Sequence, residues 1–427
     1  MKNFLGAGAR QQGAGAGSAY IIVSFAVSGV LTYAFQSLFL HVLTKAEGGG
    51  LLLLWAATFS IVQVLWVGGT QTLGRYIAER ESRGMDWQPV VSSVRRWQGG
   101  LLVLFVLGAL LASPLLTSSI FKGHGWLTAA FIVAVAAYAP EYFRRGIFNG
   151  HRQSSRLGAQ ILAEAAGRLV ISAALLVLGA GVAGPAIAIV LAPIIGVLAI
   201  RPAPVEPPKH EGEPFSAGKA FRFAGPVLTC MACAQAFANG GPIIVKLLGG
   251  TYAQVAVFGA ALILMRVPQY VLSPAIGALL PHASRILANE GPRAFERFVV
   301  RTVGAVGGVG VLMVGGAWLL GGWALKLFGG SKYEVSPRVL VALALLAALY
   351  LLCDLLNQIL FARGLERPAS MAWLTGVPVA VVCAVLLRSD VVFGISISLA
   401  AGIAVVAVVQ SAVYVVARRR PVKPVNG

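Results

Sequence analysis

Six ionisable residues interrupt otherwise apolar stretches of this chain: Glu141, Glu164, Arg168, Lys246, Arg266 and Asp354. At the depth of a bilayer such a side chain costs about 2.5 to 3.5 kcal/mol on insertion scales, so each must face protein or a watery cavity. Arg266 lies midway along the stretch 252–280, too deep for its side chain to reach an interface. A guanidinium holds a phosphate or pyrophosphate through paired hydrogen bonds, which makes Arg266 the leading candidate for an anion site. Its alternative role is an ion pair with an acid such as Asp354. Lys246 lies near the outer end of its stretch and is expected to snorkel there or line the same cavity. Gln235 and Asn239 precede Gly240-Gly241-Pro242, a run expected to interrupt a helix, and interrupted helices often line transport sites.

Glu164 and Arg168 are four residues apart, so on a helix they share one face and can neutralise each other. The sharper reading makes them a gate, in which Glu164 takes a proton or Arg168 leaves it for an anionic substrate. Asp354 and Asn357, one turn apart, are the other coupling or gating candidates, with helix packing through hydrogen bonds as the alternative. Glu141, beside Arg144 and Arg145, reads as a surface pair near the cytoplasmic interface.

The elements that carry these residues follow from composition. Of 427 residues, 58% are hydrophobic and 11% charged, with a net charge of +19. A soluble protein devotes about a quarter of its residues to Asp, Glu, Lys and Arg, so this chain belongs in a bilayer. A helix crossing the hydrocarbon needs about 20 apolar residues. Twelve segments qualify: 19–43, 48–72, 99–120, 124–143, 158–180, 181–200, 224–248, 252–280, 302–328, 338–361, 369–388 and 391–416.

Basic residues near span ends are retained in the cytoplasm. With the N-terminus inside, that side receives most of the 34 Lys+Arg, including Arg75, Arg80, Arg83, Arg95 and Arg96 after the second span and Arg418, Arg419, Arg420 and Lys423 at the end. The other side holds Lys45, Lys122, Lys326, Lys332, Arg338 and Arg388. A multi-pass plasma (inner) membrane protein with both termini cytoplasmic is expected, its first helix retained rather than cleaved. The positive charge is a topogenic collar at an anionic leaflet, and no nucleic-acid partner is expected.

Between spans there is no room for a catalytic domain of at least ~50 residues. The chain has no Walker A run, no G-x-S-x-G, no H-E-x-x-H and no paired C-x-x-C zinc site, so neither an enzyme nor a cofactor or metal is expected. Cys230, Cys233, Cys353 and Cys383 fall within spans and are expected to be small apolar side chains. The Pro/Glu-rich segment 201–223 reads as a cytoplasmic linker between an N-terminal six-helix lobe at 1–200 and a C-terminal one at 224–427.

The two halves share landmarks. Arg75 and Arg285 open comparable basic loops, and Gly150 and Gly364 mark comparable Gly/Arg turns at nearly the same offset, which argues for duplication. Six spans per half give both halves the same orientation. The expected fold is therefore an all-α polytopic membrane protein of about twelve helices, its two lobes related by a pseudo-two-fold along the membrane normal, with a cavity between them near mid-membrane.

The stretch NGGPIIVKLLGGTYAQVAVFGAALILMRVPQYVLSPAIGALLPHASR resembles helices 7 and 8 of polysaccharide-biosynthesis flippases in the multidrug/oligosaccharidyl-lipid/polysaccharide exporter superfamily. HVLTKAEGGGLLLLWAATFSIVQVLWVGGTQTLGRYIAE and FRRGIFNGHRQSSRLG are similar to the corresponding places in the first half. The resemblance implies a carrier that flips or exports a lipid-linked oligosaccharide for cell-surface polysaccharide by alternating access, with the bilayer and polysaccharide-assembly enzymes as partners. A multidrug or small-molecule cation-coupled antiporter of the same superfamily is the alternative.

Overall fold

The computed structural model describes residues 4–121, 123–206, 215, 229, 231–277 and 279–418. Lys122, Cys230, most of the linker at 201–223 and the basic run from Arg419 to Lys423 lie outside the described residues. Among those described, every regular element is helical: α1 (Phe4–Val42), α2 (Lys45–Ser82), α3 (Gln88–Leu111), α4 (Gly125–Gly150), α5 (Ser154–Val177), α6 (Ala183–Ala199), α7 (Gly241–Leu247), α8 (Tyr252–Met265), α9 (Val267–Gly277), α10 (Leu279–Asn289), α11 (Pro292–Gly329), α12 (Pro337–Ala362), α13 (Glu366–Leu386) and α14 (Val391–Arg418). Nine of the described helices are long and apolar enough to cross a membrane, and the bent pair α8–α9 makes a tenth. The shorter apolar α6 and the interrupted segment 231–247 fall on the remaining two expected spans, though neither is by itself as long as the other ten.

The span 252–280 breaks at Arg266 with a bend of 41°, the kink that Pro268 leads one to expect, because it has no amide hydrogen and its ring crowds the turn before it. Two other boundaries differ from those expected. The basic segments after Thr72 and before Thr302 continue as helix, so α2 and α11 each reach 38 residues. These extensions are amphipathic: Leu73, Ile77, Phe295 and Val299 are buried while Arg75, Arg297 and Arg301 are exposed.

The chain divides into two units, Met1–Leu43 with Ala57–Ala224 and Thr44–Ala56 with Gly225–Gly427. Residues 44–56, expected in the first lobe, group with the second. The cause is a close backbone approach: a Cβ on Gly49 would lie 1.9 Å from the Tyr252 carbonyl oxygen, so only glycine permits it.

In the first unit α1 packs along α5, α5 against α6, and α4 against both α3 and α6. Helix α4 is braced around Pro140 by three side-chain donors: Trp66 Nε1 to Val135 O at 2.9 Å, Gln98 Nε2 to Ala139 O at 2.7 Å and Thr70 Oγ1 to Tyr142 O at 2.7 Å. Such donors tie α4 to α2 and α3 in a medium without water to compete for these carbonyls. In the second unit α13 pairs with α14, and α12 packs on α9, α11 and α14. The α13–α14 contact depends on small residues, since a Cβ on Gly376 would meet the Gly402 carbonyl oxygen at 2.4 Å.

Candidate functional site

The described charged residues at membrane depth cluster in the first unit and stand apart from one another in the second. In the first unit, α4 and α5 face each other with two acids and two bases. Glu164 and Arg168 pair along α5 as their spacing predicts, and Tyr138 Oη donates to Glu164 Oε1 at 2.7 Å. Arg168 Nη2 also donates to Tyr138 Oη at 2.9 Å, and its guanidinium lies 5.7 Å from the Phe59 ring centroid.

Glu141, expected at the surface, is fully buried. Helix α4 runs on to Gly150, past the expected end of its span, so Glu141 and Arg145 stay within the packed helix and face α5. Arg145 Nη2 bridges the two acids, 2.6 Å from Glu141 Oε1 and 2.5 Å from Glu164 Oε2. The four charges sum to zero, which permits such a cluster inside a bilayer. Glu141 Oε2, Gln160 Oε1 and Arg145 Nε are buried and make no hydrogen bond to the described residues. The bridging role of Glu141 and Arg145 was missed in the sequence, although their i, i+4 spacing was a usable signal.

In the second unit the helical stretch 231–239 ends at Gly240 and α7 resumes at Gly241, so the expected interruption is present. Arg266 occupies the break between α8 and α9 and is 6% exposed. Its Nη1 donates to the Ala238 carbonyl at 2.5 Å and to Asn239 Oδ1 at 3.3 Å, and its Nε donates to Gln269 Oε1 at 3.0 Å. The guanidinium lies 4.9 Å from the Tyr270 ring centroid. Asn239 Nδ2 in turn donates to Gln235 Oε1 at 2.6 Å. Gln235, Asn239 and Arg266 thus form one polar chain, to which the structure adds Gln269.

Among the described residues no carboxylate pairs with Arg266, and its Nη2 makes no hydrogen bond to them. The ion pair with Asp354 is not formed among the described residues. A buried cation held only by neutral oxygens and a ring keeps its charge available to an anion.

Lys246 does not snorkel. It is 3% exposed, with Nζ 3.4 Å from the Gly250 carbonyl oxygen and 3.6 Å from the Tyr252 ring centroid. The turn after α7 solvates the ammonium in place. Asn357 has the contacts of a packing residue: its Oδ1 lies 3.3 Å from Trp373 Nε1 of α13 and 2.8 Å from the Gln410 side-chain amide of α14, a buried set joining three helices.

Comparison with known proteins places these sites in context. A family model described as polysaccharide biosynthesis protein matches residues 14–287. Two uncharacterized proteins of Mycobacterium tuberculosis strain H37Rv are each 26% identical, one over 338 residues covering 74% of this chain and 75% of its own, the other over 345 residues covering 75% and 76%. Among solved structures, the inward-facing conformation of a multidrug resistance MATE family transporter of the MOP superfamily superposes with a TM-score of 0.69 at 16% identity, covering 92% of this chain and 95% of that one. The outward-facing conformation of such a transporter gives 0.62 at 14% identity, covering 95% and 96%. A MOP superfamily transporter from Pyrococcus furiosus, whose binding pocket of reverse polarity suggests a different function, gives 0.59 at 15% identity, covering 94% and 96%. These likenesses establish the fold, an all-α polytopic membrane protein.

Proposed function

The chain belongs to the polysaccharide biosynthesis protein family and has the fold of MOP superfamily membrane transporters, and from this premise we propose that it flips or exports a lipid-linked oligosaccharide for cell-surface polysaccharide. The observation that carries this reading is Arg266, a buried guanidinium at a helix break with no acid beside it among the described residues. It suits the phosphate or pyrophosphate that joins a sugar to its lipid, because planar paired donors match two phosphoryl oxygens. Gln235, Asn239 and Gln269 hold the guanidinium in place and present amide groups to the sugar side. The balanced cluster of Glu141, Arg145, Glu164 and Arg168 serves as the gate in the first unit, where a proton or an anion would shift the pairing. Both termini face the cytoplasm of the inner membrane, as the basic bias requires. The second reading, a multidrug or small-molecule antiporter, draws on the likeness to multidrug transporters.

Deleting the gene and extracting lipid-linked sugars separates the two. Accumulation of saccharide-diphospholipid on the cytoplasmic leaflet supports flipping, whereas unchanged lipid-linked sugars with raised drug sensitivity would favour the antiporter. Arg266→Ala is expected to abolish complementation while membrane expression stays normal, and Arg266→Lys to recover only part of it, since an ammonium lacks the bidentate geometry. Full transport by Arg266→Ala would remove this residue from the site.

A further inference from the structure

The second unit contains a cavity of about 200 Å³ between residues 236–248, α13 and α14. Its deep wall is formed by Phe237, Ile395 and Leu399, each no more than 3% exposed. Its mouth is formed by Leu247, Val381 and Val385, which are 57%, 56% and 52% exposed. Among the described residues Ser398 is the only polar side chain in the lining, and its Oγ donates to the Gly394 carbonyl at 2.5 Å. The cavity therefore offers a ligand no unused polar group and selects hydrocarbon. Space exists because the lining carries alanines, Ala380 and Ala384 on α13 among them, and because the helix is interrupted at Gly240.

Its position relative to the cation gives the occupant. Ala236 and Phe237 line the cavity, while the next two residues, Ala238 and Asn239, hold the Arg266 guanidinium. One turn of helix thus carries both an anion-competent charge and an apolar recess. A lone acyl chain would have no reason to sit beside a buried guanidinium, whereas a lipid phosphate joins these two chemistries in one molecule, and the flippase reading makes that lipid a prenyl phosphate.

We propose that this cavity receives the first part of the isoprenoid chain of the lipid-linked substrate whose phosphate Arg266 holds, an inference that rests on the flippase reading. An apolar cavity of about 150 Å³ accommodates benzene, so this one holds roughly one or two five-carbon units. The rest of the chain passes through the mouth between Leu247 and Val385.

The test uses the full-length protein in nanodiscs with a diazirine-bearing polyprenyl diphosphate as the probe. Crosslinks are expected within 236–248 and 377–399, competed by unlabelled polyprenyl diphosphate and not by phosphatidylglycerol. Ala380→Leu and Ala384→Leu should each lower crosslinking there at least fivefold. Val382→Leu, on the same helix but outside the cavity lining, should not. Because the wild-type competition pattern stands apart from the variants, poor folding of an alanine variant does not decide the matter. Crosslinks elsewhere, with flipping intact in cells, would overturn the cavity assignment and leave the flippase reading standing. Equal labelling by a diazirine-bearing phosphatidylglycerol would make the cavity an ordinary lipid site and also overturn it. No specific crosslink together with no accumulation of lipid-linked saccharide on deletion would overturn both.

Discussion

Arg145 bridges both acids of the first unit, and its loss can be costed. One of its nitrogens lies 2.6 Å from Glu141 Oε1 and 2.5 Å from Glu164 Oε2. With charge centres about 4 Å apart and an effective dielectric of about 20, each attraction contributes about 4 kcal/mol. Arg145→Leu therefore removes about 8 kcal/mol of attraction. The desolvation that burying the guanidinium costs and its repulsion with Arg168 offset a large part, while the repulsion between the two carboxylates stays, with two acids left facing one base. The expected loss is about 3 to 5 kcal/mol, the range seen when one partner of a buried pair is removed. Glu141→Leu combined with Arg145→Leu restores the balance, because Glu164 and Arg168 still neutralise each other. That double variant should lie within about 2 kcal/mol of wild type, since apolar replacement of a buried pair is often neutral. Unfolding in mixed micelles titrated with SDS, followed by tryptophan fluorescence, reads both. A single variant as stable as wild type, or a double variant that loses as much as the single, would refute the reasoning.

Two further outcomes follow from the same structure. Asn357→Leu removes one partner from a buried set in which Trp373 Nε1 also lies 3.2 Å from the Gln410 side-chain amide, so stability should fall by about 1 to 3 kcal/mol. Transport per folded molecule should be retained, and a variant that folds normally but fails to transport would instead make Asn357 a coupling residue. For topology, alkaline phosphatase fused after Arg418 should be inactive, while the same enzyme inserted at Arg388 should be active. The reverse pattern would invert the assigned orientation.

The interruption at Gly240-Gly241-Pro242 and the pairing of Glu164 with Arg168 were both readable because each is set within a few residues of chain. A proline removes a local hydrogen bond, and an i, i+4 pair shares a face whatever the helix packs against. The bend at Arg266 has the same kind of local cause in Pro268. The partners of these residues were not readable in the same way. Arg266 is held by a carbonyl 28 residues away, and Asn357 meets Gln410 across 53 residues. Glu141 looked peripheral because the apolar run thins out after it, yet α4 continues and α5 supplies Glu164 across the interface.

Composition, periodicity and the distribution of Lys and Arg determined that this chain is a helical membrane protein, roughly where it crosses, and which few charges must be sheltered. Only the tertiary structure decided who shelters them. Hydrocarbon supplies no alternative partner for a buried charge, so the sequence shows that each one must be met. Which helix faces meet depends on close approaches such as Gly376 to Gly402, between residues that local periodicity does not relate. In the first unit that packing closed four charges into a neutral set, and in the second it left Arg266 with neutral partners only.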